Sequence, residues 1–156
     1  MINFKPMTAA EFSAFLNYLI PDYAEEISSS YRLPKADAFK QAQDQIDASL
    51  PEGVETSGQV LLSIFYQDAV QEHHVGYFWY KPDEASQSVF IYDFSIFPAW
   101  RNKGLGSAAM NTLEKALRQQ GFTQIKLRVA AGNERARHVY ETSGFRVNGF
   151  NMNKLI

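Results

Sequence analysis

The sequence contains no cysteine, and this absence removes several kinds of chemistry at once. Disulfide bonds, zinc sites built from thiolates and a cysteine nucleophile are all excluded for its 156 residues. Histidine is also scarce, since only His73, His74 and His138 occur, without metal-ligand spacing to a nearby carboxylate. We therefore expect no metal site, and we place His73 and His74 in a turn before a strand.

An excess of positive charge is missing as well. The formal net charge is −2, and no run of lysines and arginines stands out. A protein that binds phosphate backbones usually carries a basic excess, so we expect no nucleic-acid partner. The start lacks the layout of a secretory signal, and no apolar run approaches the ~18 residues that a bilayer span needs. We expect no membrane partner and a cytoplasmic location.

The first third of the chain is predicted to be mainly helical. A short strand ends at Pro6, and Thr8 followed by Glu11 forms the pattern of a helix capping box. Pro21 is expected to break or bend the helix that follows, and Pro34 opens another helix. Residues 1–57 are therefore predicted as a helical portion.

Residues 58–156 are predicted to supply the sheet. Aromatic and β-branched residues mark three strands, namely QVLLSIFYQ, HVGYFWYK and SVFIYDFSIF. A helix over about 104–119, the strand TQIKLRV, the short helix NERARHVYETS and the strands FRVNGF and NMNKLI follow. This order predicts one α/β domain over residues 1–156. Its mixed sheet is antiparallel early and parallel between SVFIYDFSIF and TQIKLRV.

The segment RNKGLG joins a predicted strand to a predicted helix. Gly104 and Gly106 let the main chain approach a ligand closely, and the free N–H groups of a helix start suit a pyrophosphate. Arg101 and Lys103 add positive charge beside these groups. The same glycines also fit a plain helix cap, so the loop alone leaves both interpretations open.

Two motifs in order resemble the GNAT superfamily of N-acetyltransferases. RNKGLG is similar to the R/Q-x-x-G-x-G/A pyrophosphate loop of that superfamily, and LRVAAGNERARHVYETSGF is similar to its Asn-x-x-Ala-x-x-x-Tyr-x-x-x-Gly-Phe motif. Together they cover roughly residues 88–146. The resemblance implies a three-layer α/β fold with helices on both faces of the sheet, and acetyl-CoA as the acetyl donor.

The resemblance also implies a set of cofactor-binding residues and a catalytic acid. Tyr140 would lie near the thioester sulfur and protonate the departing thiolate, and a main-chain N–H near 94–96 would polarise the thioester carbonyl. The predicted cofactor-binding residues are Phe94, Ile96, Phe97, Arg101, Asn102, Lys103, Gly104, Leu105, Gly106, Ser107, Asn133, Arg137 and Tyr140.

The helix face with Asn133 and Tyr140 has a structural alternative. Asn133, Ala136, Arg137 and Tyr140 share one face by spacing. Asn133 can simply cap the helix, and Tyr140 can simply bury its ring. Arg137 fits either a cofactor phosphate or solvent.

Asp93 is the candidate general base. It interrupts the aromatic strand VFIYDFSIF, where simple alternation puts Ile91, Asp93 and Ser95 on one face and Tyr92, Phe94 and Ile96 on the other. A base is useful because an alkyl amine with a pKa near 10.4 is mostly protonated at neutral pH. A structural aspartate with local hydrogen bonds is the alternative.

The acceptor is expected to be a primary amine of a small molecule or peptide, and the resemblance implies that the N-terminal helices contact it. The acidic residues Asp22, Glu25 and Glu26 fit attraction of a cation or a merely solvated face. Other options are a macromolecular amine, such as a protein N-terminus, and a non-catalytic acyl-CoA-binding module. The resemblance also allows a homodimer. The acceptor, the base and the use of longer acyl-CoA donors stay open.

Overall fold

The computed structural model describes all 156 residues, which divide into two compact units. The first unit contains Met1–Phe15 and Leu50–Arg128, and the second contains Leu16–Ser49 and Val129–Ile156. No helix in the structure has both the length and the apolar character that a membrane span requires.

The first unit is built on a five-stranded sheet whose strands follow one another in chain order. The strands are β1 (Ile2–Pro6), β2 (Val60–Gln67), β3 (Glu72–Asp83), β4 (Ser88–Ile96) and β5 (Gln124–Leu127). Neighbours from β1 to β4 are antiparallel, whereas β4 and β5 are parallel. The predicted mixed sheet, with its parallel pair at the crossover, is confirmed.

Four α-helices accompany the sheet: α1 (Ala9–Tyr31), α2 (Lys35–Ser49), α3 (Leu105–Gln119) and α4 (Glu134–Thr142). The predicted capping box is confirmed at the start of α1. The Thr8 N–H donates to Glu11 Oε1 at 2.9 Å, and the Glu11 N–H donates to Thr8 Oγ1 at 3.1 Å. These bonds satisfy two donors that a helix start otherwise leaves unpaired.

Helices cover both faces of the sheet within the first unit, as predicted. On one face, Phe94 stacks on Phe78 and lies beside the start of α3 at Gly106. On the opposite face, Tyr77 packs edge-on against Phe15 of α1, with ring centroids 5.1 Å apart. This alternation of Tyr77 and Phe78 is the ordinary two-residue period of a strand.

Of the break or bend expected at Pro21, the break is wrong, because α1 continues through that residue. In the second unit, Ala24 and Ile27 of α1 form a buried cluster with Ala38 and Ala42 of α2. Apolar side chains on the C-terminal side of the proline are thus anchored on a neighbouring helix. Their burial offsets the one main-chain hydrogen bond that proline removes.

The two strands expected at the C-terminus, FRVNGF and NMNKLI, are also wrong. Residues 145–156 form neither strand nor helix, and large side chains there such as Phe150 and Met152 are exposed. Within the segment, Asn153 Nδ2 donates to the Ser30 carbonyl oxygen at 2.8 Å. Alternating apolar residues produce a strand only where a neighbouring strand supplies main-chain hydrogen bonds.

Candidate active site

The pyrophosphate loop, residues 101–106, runs from the end of β4 into α3. A single 3₁₀ turn, Pro98–Trp100, precedes it, and Gly104 is the residue just before the helix. Gly104 has a φ of +77°, in the left-handed region that glycine adopts without strain, and Asn102 reaches +61°. The loop is therefore folded back sharply enough to present the start of α3.

The first turn of α3 carries the N–H groups expected to bind the cofactor. Leu105, Gly106 and Ser107 occupy this turn, where main-chain N–H groups have no partner within the helix. A Cβ at Gly106 would be 3.9 Å from side-chain atoms of both Ile96 and Phe94. The structure thus brings the helix start beside two other predicted cofactor residues of β4.

The two cations of the loop, Arg101 and Lys103, are both exposed, and Arg101 also makes a hydrogen bond to the strand. Arg101 is turned towards the strand, since its Nε–H donates to the Ile96 carbonyl oxygen at 2.9 Å. Lys103 and Asn102 are exposed. Positive charge beside free N–H groups is the usual environment of a bound phosphate.

A β-bulge in β4 changes the faces that alternation assigned. Tyr80 pairs with Ile91 and its neighbour Trp79 pairs with Asp93, so Tyr92 is an extra residue in β4. Paired residues share a face, and Trp79 and Tyr80 point to opposite sides. Asp93 therefore lies on the Trp79 face, whereas Ile91 lies on the other face with Phe94. The expectation that Ile91 and Asp93 share a face is wrong, because it assumed an unbulged strand.

Glycine at position 76 is required by the close approach of β3 and β4. A Cβ at Gly76 would lie 2.1 Å from the Ser95 carbonyl oxygen and 3.2 Å from the Ile96 Cα. This contact fixes the main chain of β4 at residues 94–96, the stretch expected to polarise a thioester carbonyl. Sequence reasoning missed Gly76, although a single glycine inside an aromatic strand pattern signals a close backbone contact.

The Asn–Tyr face lies on α4, in the second unit. The Asn133 side chain caps this helix by accepting from the Ala136 N–H at 3.2 Å. Arg137 Nε–H donates to Glu141 Oε1 at 2.7 Å on a half-exposed surface. The Tyr140 ring packs against Phe145 with centroids 5.6 Å apart. The expected cap is present, whereas the Tyr140 ring packs on Phe145 and is only partly buried. Neither contact prevents a further role.

The placement of His73 and His74 in a turn is wrong, since both lie in β3. His73 Nε2 is 2.7 Å from Asp68 Oδ2, and its ring contacts Trp100. His74 Nδ1 is 3.6 Å from Glu11 Oε2. Because His73 and His74 are polar, the sequence pattern did not indicate that the strand begins before the apolar residues of β3.

Glu11 and Tyr77 complete the polar group around His74. Burial raises the pKa of Glu11, but hydrogen bonds from Thr8 and the nearby His74 and Ser63 outweigh it, so the pKa is lowered. Burial, with a smaller effect of Glu11, raises the pKa of Tyr77. Glu11 thus remains a carboxylate and Tyr77 a neutral phenol near neutral pH.

Asp68→Asn is predicted to weaken the fold near neutral pH but not near pH 2. The Gln71 and Val70 N–H groups, together with His73, lower the pKa of Asp68 from 3.8 to about 2. Because the folded pKa is depressed, the carboxylate stabilises the fold fully above pH 3.8 and loses this effect as the pH falls through about 2. Urea unfolding should show that the difference in the free energy of unfolding between wild type and Asp68→Asn disappears as the pH falls from 3.8 to about 2. A difference that does not change with pH would contradict this role of the Asp68 carboxylate.

The family follows from comparison with known proteins. Residues 20–145 match the acetyltransferase (GNAT) family, and the chain belongs to that family. YycN of Bacillus subtilis strain 168, an uncharacterized N-acetyltransferase, is 34% identical over 152 residues, which cover 96% of this chain and 95% of YycN.

Solved structures agree with the fold. A crystal structure of YycN superimposes with a TM-score of 0.91 at 32% identity, and the match covers 100% of this chain and 99% of that one. The spermidine N-acetyltransferase of Vibrio cholerae, solved with CoA and spermine, gives 0.64 at 17% identity over 95% of this chain and 82% of that one. The latter shares the fold alone.

Proposed function

We propose that this chain is an N-acetyltransferase that moves the acetyl group of acetyl-CoA directly to a primary amine of a small molecule or peptide. The observation that carries the proposal is the loop of residues 101–106, which joins cationic side chains to the free N–H groups of α3. CoA in the structure of the Vibrio cholerae enzyme, which has the same fold, supports this donor. We further propose one GNAT-type domain over residues 1–156.

The proposed cofactor residues have separate tasks. The N–H groups of Leu105, Gly106 and Ser107 bind the pyrophosphate, and Arg101, Asn102 and Lys103 surround it with donors. Phe94, Ile96 and Phe97 supply apolar surface and main-chain groups for the pantetheine and acetyl portions. We propose that Asn133 and Arg137 of α4 contribute hydrogen bonds to the same co-substrate, and that Tyr140 lies against its thioester sulfur.

The chemical step needs a neutral amine, a polarised carbonyl and a protonated leaving sulfur. The amine nitrogen attacks the thioester carbon, so a C–N bond forms as the C–S bond breaks. Asp93 accepts the proton that the amine loses, directly or through water, and the Tyr140 hydroxyl gives its proton to the sulfur. A main-chain N–H within residues 94–96 stabilises the negative charge on the carbonyl oxygen. The close contact at Gly76 keeps that stretch fixed.

The acceptor is proposed to be cationic before it reacts. Spermine bound to the Vibrio cholerae enzyme is a polyamine, and residues 22–26 of this chain carry three carboxylates. Such charge attracts an ammonium group from solution. A homodimer is compatible with this proposal and is not required by it.

The proposal is tested by the thiol released when acetyl-CoA is mixed with a panel of amines. The panel contains polyamines, aminoglycosides, amino acids and peptides with free N-termini, and propionyl-CoA serves as a second donor. Because the chain has no cysteine, all thiol that appears comes from CoA. We expect release that depends on one amine class. Acetyl-CoA binding without release would favour a macromolecular acceptor or a binding module instead.

A further inference from the structure

The segment that leads into the pyrophosphate loop, Phe97–Trp100, rests on two consecutive histidines. The Phe97 ring lies edge-on to His74, with centroids 5.0 Å apart, and the Trp100 ring lies 4.7 Å from His73. We call this segment the loop entry. Its aromatic residues are thus each supported by one imidazole of the His73–His74 pair.

The two contacts lie on opposite faces of the sheet. His73 pairs with Tyr66 and His74 pairs with Phe65 on the neighbouring strand β2, and consecutive strand residues point to opposite sides. Trp100 also contacts Tyr66, and Phe65 stacks on His74. The loop entry therefore crosses the end of the sheet, with one aromatic ring on each side.

Polar contacts orient both imidazoles. Asp68 Oδ2 lies 2.7 Å from His73 Nε2, and Glu11 Oε2 lies 3.6 Å from His74 Nδ1. His74 Nε2 lies 3.1 Å from the Gly76 carbonyl oxygen, which can only accept, so this nitrogen carries the hydrogen. With side chains only 21% and 25% exposed, both rings are fixed supports rather than mobile surface groups.

We propose that His73 and His74 are positioning residues that clamp the loop entry and thereby set the affinity of the pyrophosphate loop for CoA. This inference rests on the proposed function. Residues 101–104 are exposed, so apart from the Arg101 hydrogen bond to the Ile96 carbonyl oxygen their order depends on the anchored residues on either side. A loop that is already ordered loses less entropy when it binds a ligand, which strengthens binding.

The test compares His73→Ala, His74→Ala and the double variant with His138→Ala. His138 is exposed on α4 and is the remaining histidine of the chain, so it is a matched control. Aromatic contacts of this kind correspond to about a two- to tenfold change in affinity each. We expect the Kd and KM for CoA substrates to rise by that factor, with kcat and the KM for the amine within about twofold of wild type.

A second measurement follows the loop entry without any ligand. The chain has two tryptophans, and Trp79 is only 4% exposed, so Trp79→Phe leaves Trp100 as the reporter. In this background, acrylamide should quench Trp100 more strongly when His73 is replaced by alanine and not when His138 is. If the wild-type protein does not bind CoA, both the proposed function and the proposed effect of His73 and His74 on CoA affinity are wrong. The quenching result still decides whether the histidines hold the loop.

Conservative variants separate positioning from general stability. His73→Phe and His74→Phe keep the ring contacts to Trp100 and Phe97 and should restore CoA affinity to within about twofold of wild type. Circular dichroism and melting temperature establish that each variant is folded. The proposal would be overturned if the folded alanine variants kept the wild-type Kd for CoA. It would also be overturned if the alanine and phenylalanine variants lost CoA affinity equally.

Discussion

Tyr140→Phe is expected to lower kcat for acetyl transfer at least tenfold while leaving acetyl-CoA binding within about twofold of wild type. The substitution removes only the hydroxyl, so the ring can keep its packing against Phe145. Protonation of the departing sulfur stabilises the leaving group as the C–S bond breaks, and a positioned acid typically contributes about 10²- to 10⁴-fold. The loss should therefore appear in kcat.

The matched control for this prediction is Tyr92→Phe. Tyr92 is 48% exposed and its ring stacks on Trp79, a contact that phenylalanine can maintain. This variant should transfer acetyl groups at the wild-type rate. A Tyr140→Phe enzyme with unchanged kcat would show that the residue is structural, and the protonation step would then need another donor.

Gly76→Ala is expected to be the most damaging single-methyl substitution in the sheet. The new Cβ would overlap the Ser95 carbonyl oxygen at 2.1 Å, and main-chain atoms cannot move aside as a flexible side chain can. Overpacking of this kind costs about 1–3 kcal/mol or more. For a chain of this length, each kcal/mol lowers the melting temperature by about 2–4 °C.

The same substitution should also affect catalysis in the molecules that still fold. Pushing β4 away from β3 displaces the main chain of residues 94–96, where we place the donor to the thioester carbonyl. Loss of one such donor costs about 10²- to 10³-fold in kcat. Gly149→Ala is the control, because its Cβ meets no atom within 4 Å. Near-wild-type melting and kcat for Gly76→Ala would contradict this account of the β3–β4 contact.

Features set by neighbouring residues in the sequence could be predicted. The Thr8–Glu11 capping box and the helix start at Gly104 are local patterns, and each appears where the sequence indicated. The parallel β4–β5 pair also follows, since a strand–helix–strand crossover leaves few arrangements.

Features set by pairing between distant segments could not be predicted. The bulge at Tyr92 depends on the register of β4 against β3. The lone glycine at position 76 signals a close backbone contact, but only the path of the Ser95 main chain shows which atoms it meets. His73 and His74 belong to a strand because β2 supplies partners for them. The C-terminal segment shows the reverse case, a strand-like pattern that forms no strand.

Titration calorimetry with acetyl-CoA tests the central claim most directly, because every catalytic role proposed above requires this co-substrate. The wild-type protein is compared with a variant in which Gly104, at a φ of +77°, is replaced by valine. A β-branched residue resists that conformation, so the start of α3 should be distorted. We predict saturable binding of one acetyl-CoA per chain, weakened at least tenfold in the variant. No binding to the folded wild-type protein would contradict the assignment of this chain as an acetyl-CoA-dependent enzyme.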